Sequence, residues 1–198
     1  MAASGSVEFF DSQFRKQAGS GDFALNPFEL AALPFVRGRV LDLGCGLGNL
    51  SLEAARRGCV VTAVDASAAA IARIGAAAAA EKLAVTALQS DMEGYAVPSG
   101  YDTIVAIGLV MFFDCAEAGR QLEHIGSALR PGGRAVVNTL IAGTTWLAPF
   151  EPGRHCLFAD GEIERRFAGW DILYAKREEF AAPGDTLKRF NTVIAQKR

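Results

Sequence analysis

Three glycines alternate in Asp42-Leu-Gly-Cys-Gly-Leu-Gly48, directly after the short apolar run Arg39–Leu43 and directly before a stretch with helical apolar spacing. Glycine reaches positive φ without a Cβ penalty and lets a ligand approach the backbone closely. A strand that ends in such a turn and re-enters a helix is the opening unit of an open α/β sheet, and ligands of such sheets sit at the carboxyl edge of the strands.

The rest of the chain repeats the unit. Residues 50–57 read as a helix that stops at Gly58, which suits a C-cap. Residues 60–64 read as a second strand ending at Asp65, and Ser67 caps an alanine-rich helix running to about residue 83. The tract Ala76-Ala-Ala-Ala-Ala80 reads as a packed helix because alanine has the highest helix propensity. Residues 85–88 give a third strand ahead of Ser90-Asp91-Met92, and residues 101–107 a fourth, continuously apolar as a buried parallel strand should be. A helix over 117–129, the turn Arg130-Pro-Gly-Gly133 and a fifth strand over 135–140 follow. Past a loop rich in Gly, Thr and Pro, residues 160–167 read as helix, and 170–176 and 190–195 as two closing strands joined through Pro183-Gly184. Residues 6–36 carry Phe9, Phe10, Phe14, Phe23 and Phe28 and read as helical pieces interrupted by Gly19, Gly21 and Pro27.

The architecture expected is α/β, a Rossmann-like three-layer sandwich: a seven-stranded, mostly parallel sheet with an antiparallel terminal strand and helices on both faces. All 198 residues read as one domain, with 1–36 an N-terminal helical cap segment and 37–198 the core.

Composition excludes several classes. The net charge is −2 and the basic residues come as scattered pairs, so no stripe exists to neutralise a nucleic-acid backbone. Cys45, Cys59, Cys115 and Cys156 show no CxxC pairing, and read as reduced thiols of a cytoplasmic protein, neither a disulfide framework nor a zinc site. With only His124 and His155, no histidine-based metal site is expected. The N-terminus lacks a basic stretch followed by an apolar core, and the longest apolar run, residues 104–113, is too short to span a bilayer. The expectation is a cytoplasmic monomer or homodimer acting on a small molecule, with no membrane, metal or nucleic-acid partner.

Each of the first three strands ends in an acid. Asp65 lies 23 residues after Asp42, where a carboxylate can accept both ribose hydroxyls, and Asp91 can accept from an exocyclic adenine amine. The dinucleotide fingerprint G-x-G-x-x-G is not met, because Asn49 stands where the third glycine belongs and Gly48 comes one place early. Asp42, two places before the first glycine, would repel a diphosphate. S-adenosylmethionine has no phosphate and carries a sulfonium and an ammonium, which acids favour. It is the cofactor expected; a nicotinamide-dependent oxidoreductase and a non-catalytic cofactor-binding scaffold are the alternatives.

These segments resemble the class I S-adenosylmethionine-dependent methyltransferases. Residues 40–48 match their first motif, Asp65 the acidic end of strand two, Asp91-Met92 the adenine turn and Leu129-Arg-Pro-Gly-Gly133 the turn before strand five. The resemblance implies cofactor contacts at Asp42, Gly44, Cys45, Gly46, Asp65, Ala66, Asp91, Met92 and Ile107. Two further stretches, Leu109-Val-Met-Phe-Phe113 and residues 158–170 with Arg189-Phe190, look like the tellurite-resistance methyltransferase subfamily. That likeness implies a soft acceptor such as a chalcogen oxyanion. The subfamily's last loop carries a His-Arg pair implicated in catalysis, whereas Arg177-Glu-Glu-Phe-Ala-Ala-Pro-Gly184 here has no histidine.

The implied reaction is in-line methyl transfer, which can run on positioning and desolvation without a strong base. The acceptor is expected over the segment after strand four and the loop 141–158. Phe112, Phe113 and Trp146 are its candidate contacts, and Arg154 and His155 are the candidates to position or deprotonate it. Arg15 is a candidate partner for the cofactor carboxylate.

Overall fold

The computed structural model describes residues 5–20 and 23–198. Helices α1 (Gly5–Ser20) and α2 (Pro27–Ala32) precede β1 (Arg39–Leu43), α3 (Asn49–Arg56), β2 (Val60–Asp65), α4 (Ala68–Glu81), β3 (Val85–Gln89) and β4 (Tyr101–Ile107). Then come α5 (Cys115–Ala128), β5 (Leu129–Leu140), α6 (Glu162–Arg166), β6 (Asp171–Ala182) and β7 (Thr186–Gln196). Side-chain caps start α2, α4 and α5. Asn26 and Glu29 form a reciprocal capping box around Pro27, the Ser67 hydroxyl accepts from the Ala70 amide, and the Asp114 carboxylate accepts from the Glu117 amide.

The seven strands form one sheet in the order β3-β2-β1-β4-β5-β7-β6, parallel except for β7, which runs antiparallel to both neighbours. The apolar strands supply two cores, one on each face, because successive side chains point to opposite sides. Along β4, Ile104 packs with Leu41, Leu122 and Phe158, whereas Val105 packs with Val40, Val61 and Ile74. The continuous apolar run is therefore two-sided burial.

Several boundaries differ from the sequence reading, each for a physical reason. The Arg130–Gly133 segment is not a separate turn: β5 already begins at Leu129, and a register shift between Tyr101 and Thr103 absorbs Gly132, whose φ is +75°. Gly19 lies inside α1, so it does not interrupt that helix; Gly21 falls outside the described residues. The closing strands are longer than expected. Their tips form a half-exposed hairpin held by polar pairs such as Arg189 with Glu179 at 2.7 Å, which leave no apolar alternation to read.

The cysteine expectation is overturned. Cys115 and Cys156 form a disulfide, and only Cys45 and Cys59 are free, both buried. The pair is 41 residues apart, so no local spacing announces it. The fold brings it together: Cys115 is the first residue of α5, and the loop after β5 returns beside it, with the Cys156 amide donating to the Met111 carbonyl at 3.0 Å. No described helix is long and apolar enough to cross a membrane.

Candidate active site

The carboxyl ends of β1 and β2 are stitched through the glycine turn. The Cys45 amide donates to the Val64 carbonyl at 3.1 Å, and the Gly46 amide donates to Asp65 Oδ2 at 2.8 Å. Asp65 Oδ1 accepts from the Ser67 amide at 2.8 Å, so one carboxylate ties the turn to the start of α4. Gly44, Gly46 and Gly48 all have positive φ. Gly48 is also sterically required, because a Cβ there would lie 2.5 Å from Ile74 Cγ1.

Asp42 is buried beneath this turn, and its Oδ2 accepts from the Ser51 hydroxyl at 2.6 Å. Burial pushes its carboxyl up to about 7; the Ser51 hydrogen bond opposes that rise, while the charges of Glu29 and Asp65 add to it. Asp65 is raised too, mainly by burial and against its backbone hydrogen bonds. Asp91 is exposed at the end of β3, where Oδ1 accepts from the Glu93 amide at 3.0 Å.

All three acids line one cavity of about 890 Å³, which also holds Gly44, Cys45, Gly46, Ala66, Met92 and Ile107. That size lies toward the upper end of small-molecule sites, with room for a second molecule beyond a nucleoside cofactor. Helix α1 roofs the glycine-turn end. Phe14 lies against Gly46, Asp11 accepts from the Ser67 hydroxyl at 2.5 Å, and the Phe10 ring meets Phe112 edge-on at 5.3 Å. Past Ile107 the cavity continues to Asn138 and Leu140 of β5 and to Lys188 and Phe190 of β7. Phe28 of α2 packs on Phe190 with centroids 4.6 Å apart, and the Lys188 ammonium sits 3.8 Å from the Trp146 ring centroid.

Phe112, Phe113 and Trp146 all line the cavity, although Phe113 is mostly buried in the core beneath α5. Arg154 and His155 do not act as a pair. Arg154 reaches the rim and bonds Glu93 at 2.6 Å with both side chains more than half exposed, while His155 packs on Phe150 at 5.2 Å and is not among the described lining residues. Arg15 pairs with Asp11 at 2.8 Å and does not line the cavity either. Sequence reasoning did not assign Phe28, Glu29, Asn138 and Lys188 to the site. Signals existed for two of them: Asn26-Pro-Phe-Glu29 spells a capping box, and Asn138 is a lone amide in the apolar run of β5.

The residues present fit S-adenosylmethionine. The turn is a glycine cradle that a side chain would fill, acids line the cavity at the carboxyl ends of β1, β2 and β3, and the described lining cations are Arg154 and Lys188, both away from the turn. A buried carboxyl below the turn suits a phosphate-free, cationic cofactor and opposes a diphosphate.

A sheet of this order with an antiparallel seventh strand, a glycine turn after β1 and an acid at the ends of β1, β2 and β3 defines the class I S-adenosylmethionine-dependent methyltransferase fold. Residues 40–133 match the family described as "Methyltransferase domain". More particularly, the chain is similar to the TehB proteins. It is 25% identical over 166 residues to a "Probable S-adenosyl-L-methionine-dependent methyltransferase TehB" of Haemophilus influenzae, covering 81% of this chain and 57% of that protein. The crystal structure of TehB from Haemophilus influenzae superposes with a TM-score of 0.78 at 21% identity, covering 98% of this chain and 67% of that one, a likeness of fold. The chain is also 29% identical over 167 residues to "Hemagglutinin 1" of Eikenella corrodens, covering 80% of this chain and 54% of that protein. It thus spans about half the length of the curated relatives it matches.

Proposed function

We propose that the protein transfers a methyl group from S-adenosylmethionine to a small-molecule acceptor. One observation carries this reading: a single cavity begins at the glycine turn and its three acids, and continues without a break into an aromatic end large enough for a second molecule. The cofactor supplies an electrophilic methyl on a sulfonium. The chain's own residues bind and orient. Asp65 accepts the ribose hydroxyls, Asp91 the adenine amine, and Asp42 supports the cationic methionine end. Phe112, Trp146 and Phe190 exclude water from the acceptor, the desolvation that such a displacement uses.

The described walls hold no histidine, so the reading relies on positioning rather than on an imidazole base. A chalcogen-oxyanion acceptor gains little support. Arg177, in the stretch that aligns with the subfamily's catalytic loop, bonds Asp160 and Glu164 and does not line the cavity. The acid-rich walls also speak for a small acceptor over a nucleic acid. The test is product analysis with labelled S-adenosylmethionine against oxyanions, thiols, amines and small acids. Acceptor-dependent formation of S-adenosylhomocysteine is expected with one class; none with any would remove the reading.

A further inference from the structure

Among the described cavity-lining residues, Asn49 and Asn138 each carry a buried side-chain oxygen without a partner, and Asn138 is the one beyond Ile107, away from the glycine turn. Asn138 is fully buried in β5, and its amide nitrogen donates to the Thr192 hydroxyl at 2.8 Å across the β5–β7 pair. Its Oδ1, equally buried, accepts from nothing. Unpartnered buried oxygens are rare and expensive, and one in the wall of a cavity is matched when a ligand donates to it. Asn138 stands beside Ile107, whose strand β4 separates β5 from the glycine turn on β1. It is therefore placed where an acceptor, not the nucleoside, would lie.

The charge around that atom selects the donor. Among the described lining residues six carboxylates face two cations, and one of those cations, Arg154, is already paired with Glu93. The cofactor brings one net positive charge, so the cavity stays negative after it binds. Anionic acceptors are disfavoured there, and neutral or cationic ones favoured. The walls are aromatic, from Phe28, Phe112, Trp146 and Phe190. Such faces suit a flat apolar body and are attractive to a cationic nitrogen.

We propose that the acceptor is an aromatic or similarly flat apolar amine, whose N–H donates to Asn138 Oδ1. This deepens the methyltransferase reading and rests on it. The nitrogen lone pair forms the new N–C bond as the C–S bond breaks, with its electron pair going to sulfur. The nitrogen thereby gains positive charge, and the extra proton of the methylated ammonium leaves to water. Asn138 Oδ1 stabilises that charge as it develops, because a hydrogen bond from a charged donor is stronger than one from a neutral donor. The acid-lined cavity favours the ammonium form, so before transfer the amine releases a proton to water, which leaves its lone pair available.

The experiment measures binding to the protein saturated with S-adenosylhomocysteine, using matched probes: 2-phenylethylamine, 2-phenylethanol, 2-phenylethanethiol, 3-phenylpropanoate and selenite. Methyl transfer from S-adenosylmethionine to the same probes is read in parallel by mass spectrometry. The amine is expected to bind at least about tenfold tighter than the others and to be the methylated probe, a preference that Asn138→Leu abolishes. Unchanged S-adenosylhomocysteine affinity certifies the fold of the variant, and Asn138→Asp, which keeps an acceptor oxygen, is expected to retain amine binding. Preference for another probe, absence of amine binding, or an Asn138→Leu protein that binds the amine as before overturns the proposal while leaving the methyltransferase reading in place. Failure of the wild-type protein to bind S-adenosylhomocysteine overturns both.

Discussion

Breaking the Cys115–Cys156 disulfide should destabilise the protein without touching its cofactor turn. The bridge closes a loop of 41 residues. Chain entropy assigns a constraint of that length about 4 kcal/mol of stability at 25 °C, mostly by restricting the unfolded chain. For a chain of this size each kcal/mol moves the melting temperature by roughly 2–4 °C, so reduction should lower it by roughly 8–16 °C. The assay is thermal and urea unfolding of the wild type with and without a phosphine reductant, beside the Cys115→Ser/Cys156→Ser double variant. The variant should match the reduced wild type and ignore the reductant. Thiol titration of the denatured chain should find two free cysteines, Cys45 and Cys59, before reduction and four after. Four thiols in the unreduced protein, or a midpoint that reductant does not move, would refute the reasoning.

Further outcomes follow from the cofactor end. Asp65→Ala should weaken S-adenosylhomocysteine binding by about 1–3 kcal/mol, read by calorimetry, since it removes an acceptor from the ribose and frees the Gly46 and Ser67 amides. Asp42 is held well above its unfolded value, so the native state binds more protons than the unfolded one between about pH 4 and pH 7. Stability from this group is complete below that window and is lost as pH rises through it. Urea midpoints should fall with rising pH there, and Asp42→Asn should flatten the fall. Gly48→Ala forces an L-residue into a φ of +72° and drives its Cβ into Ile74. It should cost roughly 2–5 kcal/mol in urea unfolding, the sum of left-handed strain and overpacking.

The framework was legible because its signals are local. Strand β4 carries the apolar run Ile104-Val-Ala-Ile107, Ser67 caps its helix, and the glycines between Asp42 and Asn49 mark the turn, so the sheet and its acid-bearing strand ends could be placed from residues alone. Of the cavity beyond Ile107, only the lining by Phe112, Phe113 and Trp146 was legible. The rest of it is assembled from distant segments: Phe28 on α2, Asn138 on β5 and Lys188 on β7 meet only because β7 inserts antiparallel between β5 and β6. The disulfide escaped for the same reason, as its two cysteines belong to unrelated local patterns. Arg154 and His155 are neighbours in sequence that part in the fold, where the backbone sends one to an exposed ion pair and the other against Phe150.

The central claim is that the turn from Asp42 to Gly48 and the acids around it hold a phosphate-free sulfonium cofactor. The direct measurement is calorimetric titration of the purified chain with S-adenosylhomocysteine and, separately, with NADH. The account predicts saturable binding of S-adenosylhomocysteine that Asp65→Ala weakens, and no comparable binding of NADH. Tighter binding of NADH than of S-adenosylhomocysteine would contradict it.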